Sequence, residues 1–218
     1  MAQSNPAIRK VVVAGSSGYV GNYLLKAVAR QYPSVQCVGM SRSGKERGGE
    51  KDTGRLENVS YISANCLKVE TFENELADAD AVIHAVGSLF ENKDPQRSLV
   101  ALNRDTCINT SSILQKFAEE EGTKRNFVMI SSAKGPFFQP KYLATKIEAE
   151  QHLLENCDKL NLTIIKPGVV VDQEHRWWSI PAKVGNDLVY KIDESVCKKI
   201  LPTAVTGALD MFIPAPST

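Results

Sequence analysis

The sequence predicts an α/β protein with a doubly wound parallel sheet, a Rossmann fold. Short β-branched apolar runs alternate with helical segments, the runs are mostly continuous in apolar residues, and the first run leads directly into a glycine-rich turn. Continuous apolar runs are typical of parallel strands that are covered on both faces. Right-handed crossovers then place helices on both faces, and the expected strand order is 3-2-1-4-5-6.

Six strands and four helices follow from the hydrophobic periodicity. The predicted strands span residues 10–14, 35–40, 59–63, 81–86, 126–130 and 162–166. The predicted helices span residues 19–31, 69–77, 95–121 and 140–156. Residues 42–58 are rich in Gly, Lys, Arg and Glu and are predicted to form a flexible loop.

Two regions are expected within one domain. Residues 1–176 form the predicted dinucleotide-binding region, and residues 177–218 form a short irregular segment that caps a substrate or docks on a partner. The periodicity weakens after Gly168, and three prolines lie near the end of the chain. A chain of 218 residues is long enough to bury a substantial core in one domain.

Composition excludes several classes of protein. The formal net charge of +1 lacks the basic excess of a general nucleic-acid binder. The five cysteines are widely spaced and form no CxxC pair, so they indicate neither a zinc site nor a redox dithiol. No apolar run is long enough to predict a transmembrane segment, and the first ten residues lack the apolar core of a signal peptide. A cytoplasmic location is expected on this ground, with the mitochondrial matrix as the alternative.

The strongest motif is the turn Gly-Ser-Ser-Gly-Tyr-Val-Gly at residues 15–21, between the first strand and the first helix. Gly15 permits a tight turn, Gly18 allows backbone to approach a pyrophosphate, and Gly21 allows the helix to pack closely. Free amides and the helix dipole favour phosphate there, whereas a flexible loop is the alternative interpretation. The predicted dinucleotide contacts are Gly15, Ser17, Gly18, Tyr19, Val20 and Gly21.

The end of the second strand indicates which dinucleotide binds. NAD sites often carry Asp or Glu there for the ribose 2′-hydroxyl, and this chain has no carboxylate at that position. Arg42 and Lys45 are suited to a 2′-phosphate, and Ser41 or Ser43 can donate a hydrogen bond. We therefore expect NADP(H), with NAD(H) as the alternative; solvated loop charges are the competing interpretation.

Two further strand ends complete the candidate site. The fourth strand leads through His84 into Ala85, Val86 and Gly87, where Gly87 allows backbone to approach a cofactor. His84 itself is expected to be a buried, packed histidine. The fifth strand ends in Ser131 and Ser132, and the following helix carries Tyr142 and Lys146, four residues apart on one face.

These motifs together resemble the extended and atypical short-chain dehydrogenases/reductases (SDRs). The resemblance implies that Tyr142 is a general acid/base, that Ser132 polarises a carbonyl, and that Lys146 anchors the ribose. The interval from Ser132 to Tyr142 is shorter than is usual in extended SDRs, so Ser131 is a neighbouring candidate. By the same resemblance, the turn at Pro167 and Gly168 borders the nicotinamide.

Four segments narrow the resemblance, at residues 87–92, 130–135, 142–150 and 171–176. They look like the mitochondrial atypical SDRs related to the ubiquinone-biosynthesis SDR of yeast, a group similar to the SDR-like accessory subunit of respiratory complex I. The resemblance implies a protein on the matrix side of the inner membrane, with a quinone-like small molecule or an inner-membrane protein complex as partner. Glu174, His175 and Arg176 would border a substrate opening or form a salt-bridged surface loop.

Two functions from different classes follow. The first is an NADP(H)-dependent oxidoreductase acting on a quinone-related metabolite. The second is a non-catalytic accessory subunit that holds NADP(H) as a structural ligand, since bound ligand stabilises a fold whether or not chemistry occurs. A third, an NADP(H)-binding regulator of another pathway, is also consistent with the motifs.

Overall fold

The computed structural model describes residues 8–47, 56–135, 139–168 and 170. Six parallel strands form one sheet in the order β3-β2-β1-β4-β5-β6. The predicted fold class and strand order are therefore confirmed. Because the chain changes direction after β3, the carboxyl ends of β1 and β4 lie side by side at the point where the strand order reverses.

The strand and helix bounds agree closely with the periodicity. The strands are β1 (Lys10–Ala14), β2 (Gln36–Ser41), β3 (Val59–Ser63), β4 (Ala81–His84), β5 (Arg125–Ile130) and β6 (Leu160–Ile165). The α-helices are α1 (Tyr19–Gln31), α2 (Glu73–Leu76), α3 (Thr106–Glu121) and α4 (Pro140–Asn156). No helix among the described residues is long and apolar enough to cross a membrane.

Alternate residues of the strands supply two hydrophobic cores, one on each face of the sheet. On one face Val12, Val82 and Phe127 pack with side chains of α2, α3 and α4. On the other face Val13 and Ile83 pack with side chains of α1. Strands buried on both faces explain why the sequence shows continuous apolar runs rather than alternation.

Two predicted helices are interrupted by side chains that bond to backbone. The predicted helix 69–77 is a 3-10 turn, Val69–Thr71, followed by α2, and the Thr71 hydroxyl donates to the Lys68 carbonyl at 2.7 Å. The predicted helix 95–121 begins as a separate 3-10 turn at Pro95–Arg97 and passes through a π-helical segment at Ala101–Asp105 before α3. Such local competition by polar side chains is invisible to hydrophobic periodicity.

Two strand ends differ from the predicted bounds by two residues, and the other differences are of one residue. The fourth strand ends at His84, two residues before the predicted end, although the Ala85 amide still donates to the Ala14 carbonyl at 2.9 Å. Beyond that bond the chain leaves the sheet and passes the glycine-rich turn. The sixth strand begins at Leu160, two residues before the predicted start.

Helix α1 packs so closely that it requires glycine at one position. A Cβ on Gly21 would lie 2.3 Å from the Gly15 carbonyl oxygen. This is far inside van der Waals contact, and the oxygen belongs to backbone that cannot rotate away as a flexible side chain can. Gly21 therefore sets the distance between α1 and the turn that precedes it.

We predict that Gly21→Ala lowers the free energy of unfolding by about 3 kcal/mol or more, measured by urea denaturation. The added methyl must displace backbone, which outweighs the better helix propensity of alanine. Gly168→Ala is the matched control, because a Cβ there meets nothing within 4 Å among the described residues. Equal stability of the Gly21→Ala protein and the wild type would contradict the close packing of α1 against Gly15.

Candidate functional site

The glycine-rich turn fits between the carboxyl ends of β2 and β4. The Gly15 amide donates to the Met40 carbonyl of β2 at 2.8 Å. Gly15 has φ +87°, and a Cβ on it would lie 2.8 Å from the carbonyl carbon and oxygen of Ala85, just beyond β4. A left-handed conformation and the close approach of Ala85 both require glycine here.

The amino end of α1 is suited to an anion. Its N-cap is Gly18, no side chain caps the helix, and the first turn carries no acidic residue. The Asn22 amide donates to the Gly18 carbonyl at 3.0 Å and closes the first turn. The amides before Asn22 therefore lie at the positive end of the helix dipole, beside the exposed Ser17. Phosphate is the group that such an arrangement binds most commonly.

The turn after β2 is ordered by backbone and hydroxyl contacts. The Ser41 carbonyl accepts from Ala64 at 2.8 Å, and the Ser41 hydroxyl, which is buried, accepts from the Gly44 amide at 3.2 Å. The Ser63 hydroxyl donates to the Arg42 carbonyl at 3.1 Å. Ser41 thus shapes the turn, and its contact with a cofactor stays a prediction.

Two cations of this turn are available to a ligand. Arg42 and Lys45 are exposed, and neither forms an ion pair with another described residue. The loop that follows lies against α1, because Glu46 pairs with the buried Lys26 at 3.1 Å. The first residues of the loop that was expected to be flexible therefore contact helix α1.

Lys146 is buried under the carboxyl edge of the sheet. Its ammonium donates to the Val86 carbonyl at 3.3 Å and to the Ile130 carbonyl at 3.1 Å. Val86 follows β4, and Ile130 is the last residue of β5. A Cβ on Gly87 would lie 3.1 Å from Nζ, so glycine leaves room for the amine. Burial lowers the pKa of Lys146 from 10.5 to about 8.

The three candidate catalytic side chains lie in one region but form no hydrogen bond with one another. Tyr142 is half-buried in the first turn of α4, one turn before Lys146, and its hydroxyl bonds to no other described residue. The Ser132 hydroxyl donates to the Lys134 carbonyl at 2.7 Å. The neighbouring candidate, Ser131, donates instead to the carboxylate of Glu150.

His84 lies in the core beneath the site, as expected. It is fully buried, its ring stacks on Phe127 with centroids 6.2 Å apart, and Nε2 lies 3.3 Å from the Thr106 hydroxyl. Burial, together with the charge of Lys146, lowers its pKa to about 3. His84 is therefore neutral at any physiological pH.

Asn103, in the π-helical segment, is a site residue that the sequence reasoning missed. It is fully buried, accepts from the Ser88 amide at 2.8 Å and donates to the Ser88 carbonyl at 3.0 Å. A Cβ on Gly87 would lie 2.9 Å from its side-chain oxygen. Asn103 thus fixes the strand-end segment that covers Lys146. No periodicity singled out Asn103, because polar residues also follow it. The signal came from the structure, since π segments often occur at functional sites.

The turn after β6 runs alongside the end of β5. The Ser131 amide donates to the Ile165 carbonyl at 2.8 Å, and the Ala133 amide donates to the Pro167 carbonyl at 3.0 Å. Gly168 is exposed at this edge. The predicted contributions of residues 171–178, including Glu174, His175 and Arg176, and the predicted boundary at 176 lie outside the described residues. Among the described residues no group of His, Cys, Asp and Glu is suited to a metal ion.

A family model described as NAD(P)H-binding matches residues 15–188 of the chain. Component 2 of the MIOREX complex of Saccharomyces cerevisiae is 25% identical over 211 residues, which cover 78% of this chain and 75% of the yeast protein. An uncharacterised chloroplast protein of Arabidopsis thaliana is 23% identical over 95% of this chain and 66% of its own length.

Solved structures with the same fold include dehydrogenases and NAD complexes. The enzyme WbmG of Bordetella bronchiseptica in complex with NAD superposes with a TM-score of 0.57 and 14% identity, over 83% of this chain and 62% of WbmG. A short-chain dehydrogenase of Streptomyces avermitilis superposes with a TM-score of 0.57 and 18% identity, over 77% of this chain and 68% of that one. This chain thus spans less than two thirds of WbmG, and identities this low establish the fold alone.

We predict that Lys146→Met changes how stability depends on pH. In the wild type the fall of the Lys146 pKa from 10.5 to about 8 corresponds to about 3 kcal/mol of lost stability below pH 8. This loss disappears as pH rises from about 8 to 10.5, because the unfolded chain then gives up its proton as well. The stability of Lys146→Met relative to wild type should therefore fall by about 3 kcal/mol between pH 7 and 10.5 in urea titrations.

Lys124→Met, at an exposed lysine, is the matched control. It should show no such pH-dependent difference from the wild type. If Lys146→Met and wild type keep a constant stability difference across this range, Lys146 is not buried in its charged form.

Proposed function

The chain belongs to the NAD(P)H-binding family of Rossmann proteins, and on that premise we propose that it is an NADP(H)-dependent oxidoreductase of the SDR kind. The observation that carries the proposal is the arrangement at the carboxyl edge of the sheet. There the glycine-rich turn and the uncapped helix α1 lie beside Arg42 and Lys45, which form no ion pair with another described residue, and Lys146 is buried below the same edge. The glycine-rich turn and the two cations would bind the adenosine and pyrophosphate part of a dinucleotide. Lys146 would lie beneath its nicotinamide part.

The residues present fit an NADP(H) molecule. Gly15 and Gly18, with the first-turn amides of Tyr19, Val20 and Gly21, would hold the pyrophosphate. Gly87 keeps the surface above Lys146 free of a side chain, since a Cβ there would lie within 3.1 Å of both Nζ and the Asn103 amide oxygen. The proposed contacts at the nicotinamide end are Ala85, Val86, Gly87, Ser131, Tyr142, Lys146, Pro167 and Gly168.

The proposed preference for NADP(H) over NAD(H) rests on charge. Arg42 and Lys45 are exposed at the end of β2, where the adenosine ribose would lie. A 2′-phosphate would pair with them in charge-assisted hydrogen bonds, whereas a 2′-hydroxyl would not. The ordered turn after β2 reduces the entropy that the protein loses on binding, because its backbone is already fixed.

We predict that Arg42→Ala weakens NADPH binding about 10- to 100-fold and leaves NADH binding within about twofold, by isothermal titration calorimetry. The guanidinium would contact the group that distinguishes the two dinucleotides. Lys124→Ala removes an exposed charge before β5, at the opposite edge of the sheet, and should change neither affinity. Equal losses for NADPH and NADH in Arg42→Ala would show that Arg42 does not select the 2′-phosphate.

Three side chains would carry the chemistry. When bound, NADP(H) supplies or accepts the hydride. Tyr142 would hold the proton that moves to or from the substrate oxygen, and its hydroxyl is not engaged by another described residue. Lys146 would place its charge beneath the tyrosine and the ribose. The Ser132 hydroxyl, which now donates a hydrogen bond to the Lys134 carbonyl, would donate to the substrate oxygen instead.

The proposed substrate is a quinone-like small molecule, and the proposed location is the matrix side of the mitochondrial inner membrane. Both come from the SDR resemblance of residues 87–92, 130–135, 142–150 and 171–176, with the cytoplasm as the alternative location. The second candidate function is a non-catalytic NADP(H)-binding subunit of respiratory complex I or a related inner-membrane assembly. It is favoured by the yeast relative, whose name describes it as a component of a complex.

We predict that Tyr142→Phe lowers NADPH-dependent reduction of a soluble short-chain ubiquinone analogue by at least about 100-fold. The change removes the proton donor and keeps the ring, so NADPH binding should stay within about twofold. Tyr32→Phe, at the far end of α1, is the control and should retain full activity.

The same variant separates the two candidate functions. If wild type binds NADPH without reducing quinones or carbonyl compounds, and Tyr142→Phe replaces it fully in cells, the accessory-subunit function is supported. Affinity purification from those cells should then recover the same partner proteins with both forms.

A further inference from the structure

A buried carboxylate lies one helical turn beyond Lys146, and the sequence reasoning gave it no role. Glu150 is on the same face of α4 as Tyr142 and Lys146 and is 7% exposed. One of its oxygens accepts from the Ser131 hydroxyl at the end of β5. The other lies 2.6 Å from the ammonium of Lys166, which follows β6 and is half exposed.

The surroundings of Lys146 explain what this carboxylate does. Burial lowers the lysine pKa most strongly, and the charges of Cys107 and Glu150 oppose that effect. Burial raises the pKa of the Cys107 thiol to about 12. At the pH where Lys146 titrates, Cys107 is therefore protonated and neutral, which leaves Glu150 as the opposing charge.

The other elements packed against this lysine supply no unpaired anion among the described residues. On β4, His84 is neutral because burial holds its pKa at about 3. On the π-helical segment, Arg104 and Asp105 pair with each other, and Arg104 also pairs with the exposed Glu148 of α4. Glu150 is thus the carboxylate that opposes the effect of burial on the pKa of Lys146.

On the premise of the proposed function, we propose that Glu150 is a positioning residue that keeps Lys146 an ammonium beneath the dinucleotide, and that Lys166 limits the strength of this effect. Because Ser131 and Lys166 hold both of its oxygens, the carboxylate stays at a constant place relative to Lys146. The exposed Lys166 neutralises part of its charge, so Lys166 acts on Lys146 through Glu150.

This arrangement predicts opposite effects for the two partners of one ion pair. Glu150→Gln removes the negative charge, so the titration midpoint of Lys146 should fall by on the order of one pH unit. Lys166→Met leaves the charge of Glu150 uncompensated, so the midpoint should rise. A purely structural ion pair would shift the Lys146 midpoint in the same direction in both variants, because either substitution breaks the same contact.

The test is to follow Lys146 by NMR in the full chain labelled with 13C at lysine Cε, between pH 6 and 11, with the Lys146→Arg spectrum for assignment. NADPH dissociation constants are measured at pH 6.5 and 8.5. For wild type we expect a midpoint near 8. Glu150→Gln should have a lower midpoint and should bind NADPH several-fold more weakly than wild type at pH 8.5. Lys166→Met should have a higher midpoint.

Two controls keep the outcomes distinct. Glu148→Gln removes an exposed carboxylate of the same helix and should leave the midpoint unchanged. Glu150→Asp keeps the charge and should restore most of the wild-type midpoint. Unchanged midpoints in Glu150→Gln, or shifts of the same sign in Glu150→Gln and Lys166→Met, overturn the proposal. If Glu150→Gln does not fold, a Lys166→Met midpoint that fails to rise overturns the proposal.

The NMR titration needs no dinucleotide, so failure of the proposed function is recognised separately. It would appear as absence of NADPH binding to wild type, while the Lys146 midpoints still confirm or reject the role of Glu150.

Discussion

The close approach of two backbone segments, Gly15 against Ala85, is the constraint on which the rest of the site depends. A Cβ on Gly15 would lie 2.8 Å from Ala85, and a Cβ on Gly21 would lie 2.3 Å from the Gly15 carbonyl oxygen. Together these contacts bring the first turn of α1 to the reversal point of the sheet. The helix dipole therefore points at the place where the strand ends diverge and leave a crevice.

On the other side of that crevice lies the buried ammonium of Lys146, whose charge lowers the stability of the folded protein. Lys146 is buried among backbone carbonyls, and its lowered pKa means that the charged form reduces stability near neutral pH. A purely structural residue at this position would be apolar. Retaining an ammonium there is consistent with a functional role, since perturbed titratable groups concentrate at binding and catalytic sites.

Most of the fold could be predicted because it depends on local patterns. The bounds of β1, β3, α1 and α4 are those that the periodicity predicts. The interrupted helix before α3 could not be predicted from periodicity. Its π-helical segment places Asn103 against Ser88, which is 15 residues away along the chain, and local patterns do not report such contacts. The end of β4 was also predicted two residues late, since Ala85 and Val86 are apolar but leave the sheet to pass the glycine-rich turn.

The sequence by itself determined the strand order, the glycine-rich turn and the shared face of Tyr142 and Lys146, because each depends on residue type and spacing along the chain. Only the tertiary structure decided which groups Lys146 meets, that the Ser132 hydroxyl donates to Lys134, and that Glu150 joins Ser131 to Lys166. These contacts link β4, β5, α4 and the end of β6. Their energies depend on burial and distance, and a chain that has not folded specifies neither.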